Sequence, residues 1–304
     1  MGRQSACTAD GARQDDQGEP MSELLYGAVE AGGTKFVVAV GADPAQPREV
    51  ERIPTSTHPA VTMEGVIDYF RRQGPLAGIG VASFGPVDFA HACIGKTPKL
   101  PWQGYPLGGT IERALGVPVE FDTDVNAAAL GEWQYGAGRG LEVFVYYTVG
   151  TGIGGGAVVH GRTIRGLQHP EMGHLPVRRH PDEPDNFQGV CPFHGACLEG
   201  MACGPAMQAR WGRRAETLPP GHPGWRLEAY YLAQACFSTA CILSPQRIVL
   251  GGGVMEHEEL FPMIREEQER LVNGYLPLVE IVSPELPLPA VTGALGLARR
   301  AGGQ

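Results

Sequence analysis

Nowhere does the chain hold an uninterrupted apolar run of about 18 residues, so no segment reads as a membrane-spanning helix. Positive charge is scarce: 24 Lys and Arg face 33 Asp and Glu, for a net charge of −9. The basic residues are scattered and form no stripe, which argues against a nucleic-acid surface. No secretory apolar core stands near the start, and the seven Cys are an odd number. Both features point to a reducing cytoplasm, with some thiols free or bound to metal. What is present is an acidic chain of 304 residues, 43% of them hydrophobic. That length suggests about two domains and allows sizeable cores. The 44 Gly gather in short runs, which hints at loops that approach phosphate.

Residues 1–22 are polar and aperiodic, with a second Met at 21. They read as a disordered leader or an upstream start, too short for a helix-turn-helix domain. Strand-forming residues then flank the run Glu30-Ala31-Gly32-Gly33-Thr34-Lys35, over Leu24–Val29 and Phe36–Val40. This is a hairpin with glycine at its tip. Adjacent glycines let backbone N–H groups face an anion, and Thr34 and Lys35 add a hydroxyl and a charge. It is not a Walker A loop, which needs Gly-x-x-x-x-Gly-Lys-Ser/Thr ahead of a helix. An ordinary glycine turn is the competing reading. The pattern recurs about 120 residues later: Glu142–Val149, then Gly150-Thr151-Gly152 opening a run to Gly156, then strand formers from Ala157 to His160. Two such hairpins suggest duplicated halves that face one nucleotide.

Between the hairpins, apolar spacing predicts a helix over 62–73 and a buried strand over Gly78–Ala82. The strand runs into the turn Ser83–Asp88, in the position where open α/β sheets place ligands. Residues 94–107 lack periodicity and read as a loop, or a lid over a ligand. A short helix (Gly109–Leu115) and a strand (Val117–Phe121) lead to Asp122-Thr123-Asp124, ahead of a helix from Val125 to Tyr135. A carboxylate there is rigidly placed beside a helix N-terminus. Asp124 is assigned as a general base; helix capping by both acids is the alternative.

Farther on, Cys191-x-x-His194-x-x-Cys197 places three borderline-to-soft donors within seven residues of a Pro/Gly-rich loop. With His174 they make a Cys2His2 set suited to tetrahedral zinc. A closed set of four is structural, and would pin the loop that carries Glu171 and Glu199. Helices follow over Leu198–Arg210 and Arg226–Leu243. A strand, Arg247–Leu250, enters Gly251-Gly252-Gly253, and a helix is expected from Glu256 to Leu271, its N-terminus open to a ligand. A strand at Val279–Val282 and a helix at Val291–Ala301 close the chain.

In this order, Glu30–Lys35, Asp122–Asn126, Gly150–Gly152, Glu171-x-x-His174, the Cys/His knot and Gly251–Gly253 resemble the ROK sugar kinases (repressor, open reading frame, kinase) over about Leu24 to Arg300. The Glu-Ala-Gly-Gly-Thr-Lys start and the short Cys-Pro-x-His-x-x-Cys knot are similar to those of bacterial ROK fructokinases. The resemblance implies an actin/hexokinase-like (ribonuclease H-like) duplicated α/β fold with a central cleft. One domain would comprise 23–125 plus 290–304, the other 126–289 with the zinc loop. It implies Asp124 as base and Glu171, His174 and Glu199 as sugar contacts. Gly32, Gly33, Thr34 and Lys35, with Gly150, Thr151 and Gly152, would be phosphate tips. Gly204, Pro205, Gly252 and Gly253 would form the nucleotide wall, and His174, Cys191, His194 and Cys197 the zinc ligands.

Thr123 stands where the common ROK sugar site has Asn, which marks it for sugar choice. The implied reaction is ATP-dependent phosphorylation of fructose by a cytoplasmic homodimer, with Glu30 and Asp124 ordering the shell of Mg²⁺. Mannokinase, glucokinase and broad hexose kinase activities are the nearest alternatives. A sugar-responsive ROK repressor would need a DNA-binding module that 22 aperiodic residues do not supply.

Overall fold

The computed structural model describes residues 24–97 and 99–303; the segment read as a leader lies outside them. The strands of the first half are β1 (Tyr26–Ala31), β2 (Lys35–Gly41), β3 (Arg48–Pro54), β4 (Gly78–Ser83), the short β5 (Val87–Asp88) and β6 (Cys93–Ile94), and β7 (Val119–Thr123). Those of the second half are β8 (Val143–Val149), β9 (Ile153–Val159), β10 (Arg162–Thr163), β11 (Arg247–Gly251) and β12 (Glu280–Val282). The helices are α1 (Pro59–Arg71), α2 (Leu107–Leu115), α3 (Asp124–Tyr135), α4 (Leu198–Ala202), α5 (Gly204–Trp211), α6 (Gly224–Leu243), α7 (Leu260–Val272) and α8 (Pro289–Ala301).

The two halves repeat one plan. The first sheet runs β3-β2-β1-β4-β7 and the second β10-β9-β8-β11-β12. In each, the first three strands are antiparallel neighbours and the remaining pairings are parallel. β1 and β4 are buried nearly throughout, as expected of strands covered by helices on both faces. β3 is the exception. It lies at the sheet edge with Arg48, Glu49, Glu51 and Arg52 exposed, a charged edge that discourages pairing with another chain. That polarity is why the sequence reading passed over it.

The outer face of the first sheet packs Phe36, Val38 and Val81 against Met63, Val66 and Phe70 of α1 and Ile111 of α2. The outer face of the second packs Val145, Tyr147 and Ile248 against Met201, Leu232 and Cys236. The inner faces share α3 and α8. Leu130, Val291, Leu295 and Ala298 cover the first sheet, and Ala128, Ala129 and Ala290 join Phe144, Tyr146 and Val249 of the second. α3 is buried from Val125 to Glu132, and a helix buried all round carries no polar stripe.

Glycine sets how closely these layers approach. A Cβ on Gly293 would overlap the Ala127 carbonyl, one on Gly131 the Pro289 carbonyl, and one on Gly80 the Ala294 carbonyl. The Thr292-Gly-Ala-Leu-Gly run is therefore a packing motif in which α8 crosses α3 and lies on β4.

Three boundaries differ from the sequence reading. Only Gly150–Gly152 form the second tip; Gly154, Gly155 and Gly156 belong to β9. A Cβ on Gly154 would lie 2.8 Å from Val125 Cγ1 and one on Gly156 would overlap the Val125 carbonyl, so these glycines admit α3. The single helix expected over Leu198–Arg210 breaks at Cys203, which is extended at φ −81°, ψ 164° ahead of Gly204-Pro205. Proline suits the first helical turn and not the interior. The helix expected from Glu256 starts at Leu260, after a 3₁₀ turn over Gly253–Glu256.

Candidate active site

Because β7 lies parallel to β4 and stops where α3 begins, the acids at that junction take separate directions. Asp122 is fully buried and accepts four hydrogen bonds: from Thr123 N (2.8 Å), Asn126 Nδ2 (2.9 Å), Thr163 Oγ1 (2.9 Å) and Arg165 Nη2 (2.7 Å). A carboxylate has about four lone-pair sites, so Asp122 has none left for a substrate. It bolts β7 to the segment after β10 in the other half. Thr123, 1% exposed, is the N-cap of α3, its Oγ1 accepting from Asn126 N at 3.1 Å. Any contact with sugar from this residue would use the remaining hydroxyl proton.

Asp124 is half-buried, and its Oδ1 accepts from Val125 N at 2.9 Å. It lines a cavity of about 180 Å³ with Glu30, Tyr146, Thr148, Gly252 and Leu288. Burial, and then the charge of Glu30, raise its pKa from 3.8 to about 7, with a smaller contribution from Glu171; backbone hydrogen bonds oppose the shift. Burial raises Glu30 too, against the opposing charges of Lys35 and Arg52. Tyr146 is pushed up by burial and by Glu132, which leaves its phenol a neutral donor beside two carboxylates.

The first tip joins β1 and β2. Gly32 N donates to Lys35 O at 3.0 Å, and Thr55 Oγ1 braces the Gly32 carbonyl at 2.8 Å from the end of β3. A Cβ on Gly32 would stand 2.6 Å from the Lys35 carbonyl oxygen. Thr34 and Lys35 are exposed at the turn. The second tip joins β8 and β9. Gly204 N donates to Gly150 O at 2.8 Å, so the start of α5 is fastened to this tip. Gly150, Thr151, Gly204, Pro205, Gln208, Arg214, Gly253 and Glu256 line a second cavity of about 660 Å³. Gly252 bridges the two regions at φ +94°, with its backbone pressed on Val149; only glycine takes that conformation without strain.

Glu199 lies under the second tip. Its Oε2 accepts from Ile153 N at 3.0 Å, and a Cβ on Gly152 would come 2.6 Å from that oxygen. Glu171 is exposed, and its Oε1 is 3.6 Å from His169 Nε2. His174 turns Nδ1 toward the knot, 3.5 Å from Cys197 Sγ and 3.7 Å from Cys191 Sγ, while Cys191 Sγ is 3.8 Å from His194 Nδ1. The ligand atoms of all four residues lie within 4.8 Å of one another. Zinc with sulfur at about 2.3 Å and nitrogen at about 2.0 Å has tetrahedral edges of about 3.5 Å, so the donor set and its spacing fit that ion.

Several site residues escaped the sequence reading. His169, 6% exposed, accepts from Val87 N at 3.2 Å and ties the Glu171 loop to the turn after β4, where Gly85-Pro86 is cis. Arg165 lies over the Phe89 ring at 4.5 Å while it pairs with Asp122. Glu132, fully buried, accepts from Ala137 N and Leu286 N, both at 2.8 Å, and so holds the segment before α8. No local motif marks these residues, because each partner is distant in sequence or is a backbone group.

Duplicated halves with one strand order, a glycine tip in each and a carboxylate where β7 meets α3 are those of a sugar kinase of the actin/hexokinase-like fold. The chain belongs to the ROK family, whose model matches residues 26–301. It is 46% identical over 291 residues to a protein of Bacillus subtilis (strain 168), covering 91% of this chain and 96% of that one. It is 41% identical over 273 residues to the fructokinase of Lactococcus lactis subsp. cremoris, covering 88% and 92%. A ROK family glucokinase from Streptomyces griseus, solved in complex with glucose and AMPPNP, superimposes with a TM-score of 0.74 at 25% identity, covering 91% of this chain and 99% of the other.

Proposed function

We propose that this ATP-dependent sugar kinase transfers the γ-phosphoryl group of ATP to the C6 hydroxyl of D-fructose, forming fructose 6-phosphate. The observation that carries the reading is the half-buried Asp124, its pKa raised to about 7, in a cavity it lines with Glu30, Tyr146 and Gly252. Asp124 accepts the hydroxyl proton as the hydroxyl oxygen bonds to phosphorus and the bridging oxygen leaves with ADP. A base near neutrality is well matched to that task and contributes about 10²–10⁴-fold. Glu171, the outward oxygen of Glu199, the Nε2 edge of His174 and the hydroxyl of Thr123 orient the sugar. The tips Gly32–Lys35 and Gly150–Gly152 hold the phosphates, with Gly204, Pro205, Gly252 and Gly253 walling the nucleotide.

Glu30 and Asp124 form an oxygen donor set that suits Mg²⁺, with the charge of Glu30 acting on Asp124. Bound there through water, Mg²⁺ would neutralise phosphate charge. His174, Cys191, His194 and Cys197 would hold zinc in a closed, structural site that fixes the Nδ1 side of His174. Domains of 23–125 plus 290–304 and of 126–289 would close on the substrates, in a cytoplasmic homodimer.

Fructose is favoured by the relatives at 40–46% identity, several of which are fructokinases. A coupled assay of ADP release over fructose, mannose, glucose and N-acetyl sugars tests the choice. The expected result is the highest kcat/KM with fructose; a higher value with mannose or glucose would replace fructose as the substrate.

A further inference from the structure

We propose that Lys99 is a further cationic residue of the phosphoryl-transfer site, held over the first glycine tip to meet the γ-phosphoryl group. This rests on the kinase reading above. A Cβ on Gly33 would stand 2.6 Å from Lys99 Cε and 3.4 Å from Lys99 Nζ. Gly33 is not among the described residues with positive φ, so its backbone does not require glycine. What the missing side chain supplies is room for the lysine to cross the tip.

The lysine is delivered by an anchored turn. Lys99 N donates to Thr97 Oγ1 at 3.3 Å, and Trp102 N donates to Lys99 O at 2.9 Å. Trp102 is 1% exposed, donates Nε1–H to Ser56 O at 2.9 Å, and packs on Phe36 and Tyr105 with ring centroids 5.2 and 5.3 Å away. Lys99 itself is exposed. Among the described residues no carboxylate forms an ion pair with it.

The need for such a charge is local. Glu30 and Asp124 line one cavity, and the charges of Glu30 and Glu171 both act on Asp124; a triphosphate would add to that negative charge. Lys35 acts on Glu30 and lowers its pKa, so part of its field is already committed. Among the described residues Lys99 is in no ion pair. In phosphoryl transfer the charge spreads over the three γ oxygens, and a fixed cation there stabilises the transition state. Since ADP lacks those oxygens, Lys99 distinguishes ATP from ADP.

The test compares wild type, Lys99→Gln and Lys99→Arg. A non-hydrolysable ATP analogue and ADP are titrated calorimetrically without sugar, and kcat and KM are measured with ATP and sugar. Lys99→Gln is expected to weaken the ATP analogue about tenfold, leave ADP and the sugar KM unchanged, and lower kcat on the order of 10²-fold. Lys99→Arg should recover most of the analogue affinity. Equal losses for analogue and ADP would assign Lys99 to structure and overturn the proposal, as would unchanged kcat and affinity. The titration needs no turnover, so failure of the sugar-kinase reading would register separately in the wild-type assay.

Discussion

Asp122 and Asp124 are two residues apart, and their different surroundings determine their chemistry. Asp122 is saturated by four donors and holds two halves together; Asp124 keeps an oxygen for a substrate. Asp124→Asn is expected to lower kcat about 10²–10⁴-fold with sugar affinity largely retained, measured by the coupled assay and by calorimetry. The same variant should not lose stability. A carboxyl whose folded pKa is raised from 3.8 to about 7 destabilises the fold as pH rises through that interval. Asn carries no such penalty, so its Tm at pH 8 should equal or exceed that of wild type.

The rate has the opposite pH dependence. The ionised base is the active form, so kcat/KM should rise with pH up to about 7 and then level. Since Glu30 is the leading charge that lifts Asp124, Glu30→Gln should move that limb to lower pH, whatever it does to the plateau. The sequence pointed to Asp124 through its place before a helix. It could not show that Thr123 is buried as a cap, that His169 and Arg165 tie the second half to the first, or that Lys99 lies over Gly33. Those residues arrive from other elements and share no spacing rule with it.

The crossing of α3 and α8 rests on backbone-to-backbone contact at Gly131 and Gly293. Gly293→Val would drive a branched side chain into the Ala127 carbonyl. Overpacking of this kind costs about 1–3 kcal/mol or more, and it would splay the two sheets at their shared layer. A fall in Tm together with a loss of kcat/KM is the expected outcome, read by calorimetry and the coupled assay. The Cys/His knot is an element of another kind, a cluster of four donor atoms within 4.8 Å of one another. Metal analysis should find about one zinc per chain, and Cys197→Ser should abolish it and lower Tm. A fully active, equally stable protein without metal would reduce the knot to packing. Among the elements, long apolar strands and α6 were legible because burial leaves a periodic trace. β3 was not, since an edge strand of alternating charges leaves none. The start of α7 and the α4/α5 break were misplaced, since glycine and proline mark a boundary without specifying which side continues.

At the scale of the molecule, one strand order occurs twice, and the cleft lies where the two copies face each other across α3 and α8. Asp122 with Arg165, and Val87 with His169, cross between the halves. Closure around substrates would have to move against these links. Small-angle scattering should show a smaller radius of gyration with fructose and a non-hydrolysable ATP analogue together than with either alone; an unchanged radius would argue for a cleft that is already closed.

By itself the sequence determined the family, the duplicated strand–glycine–strand plan, the Cys/His knot and the acid before α3. All of these depend on residues close together in the chain, where backbone geometry and donor spacing act directly. Only the tertiary structure decided which glycines form the open tips and which admit a helix, and which acid is saturated. It also decided which lysine lies on the first tip. Each of those depends on what a distant segment brings within about 4 Å, the range over which packing and hydrogen bonding operate.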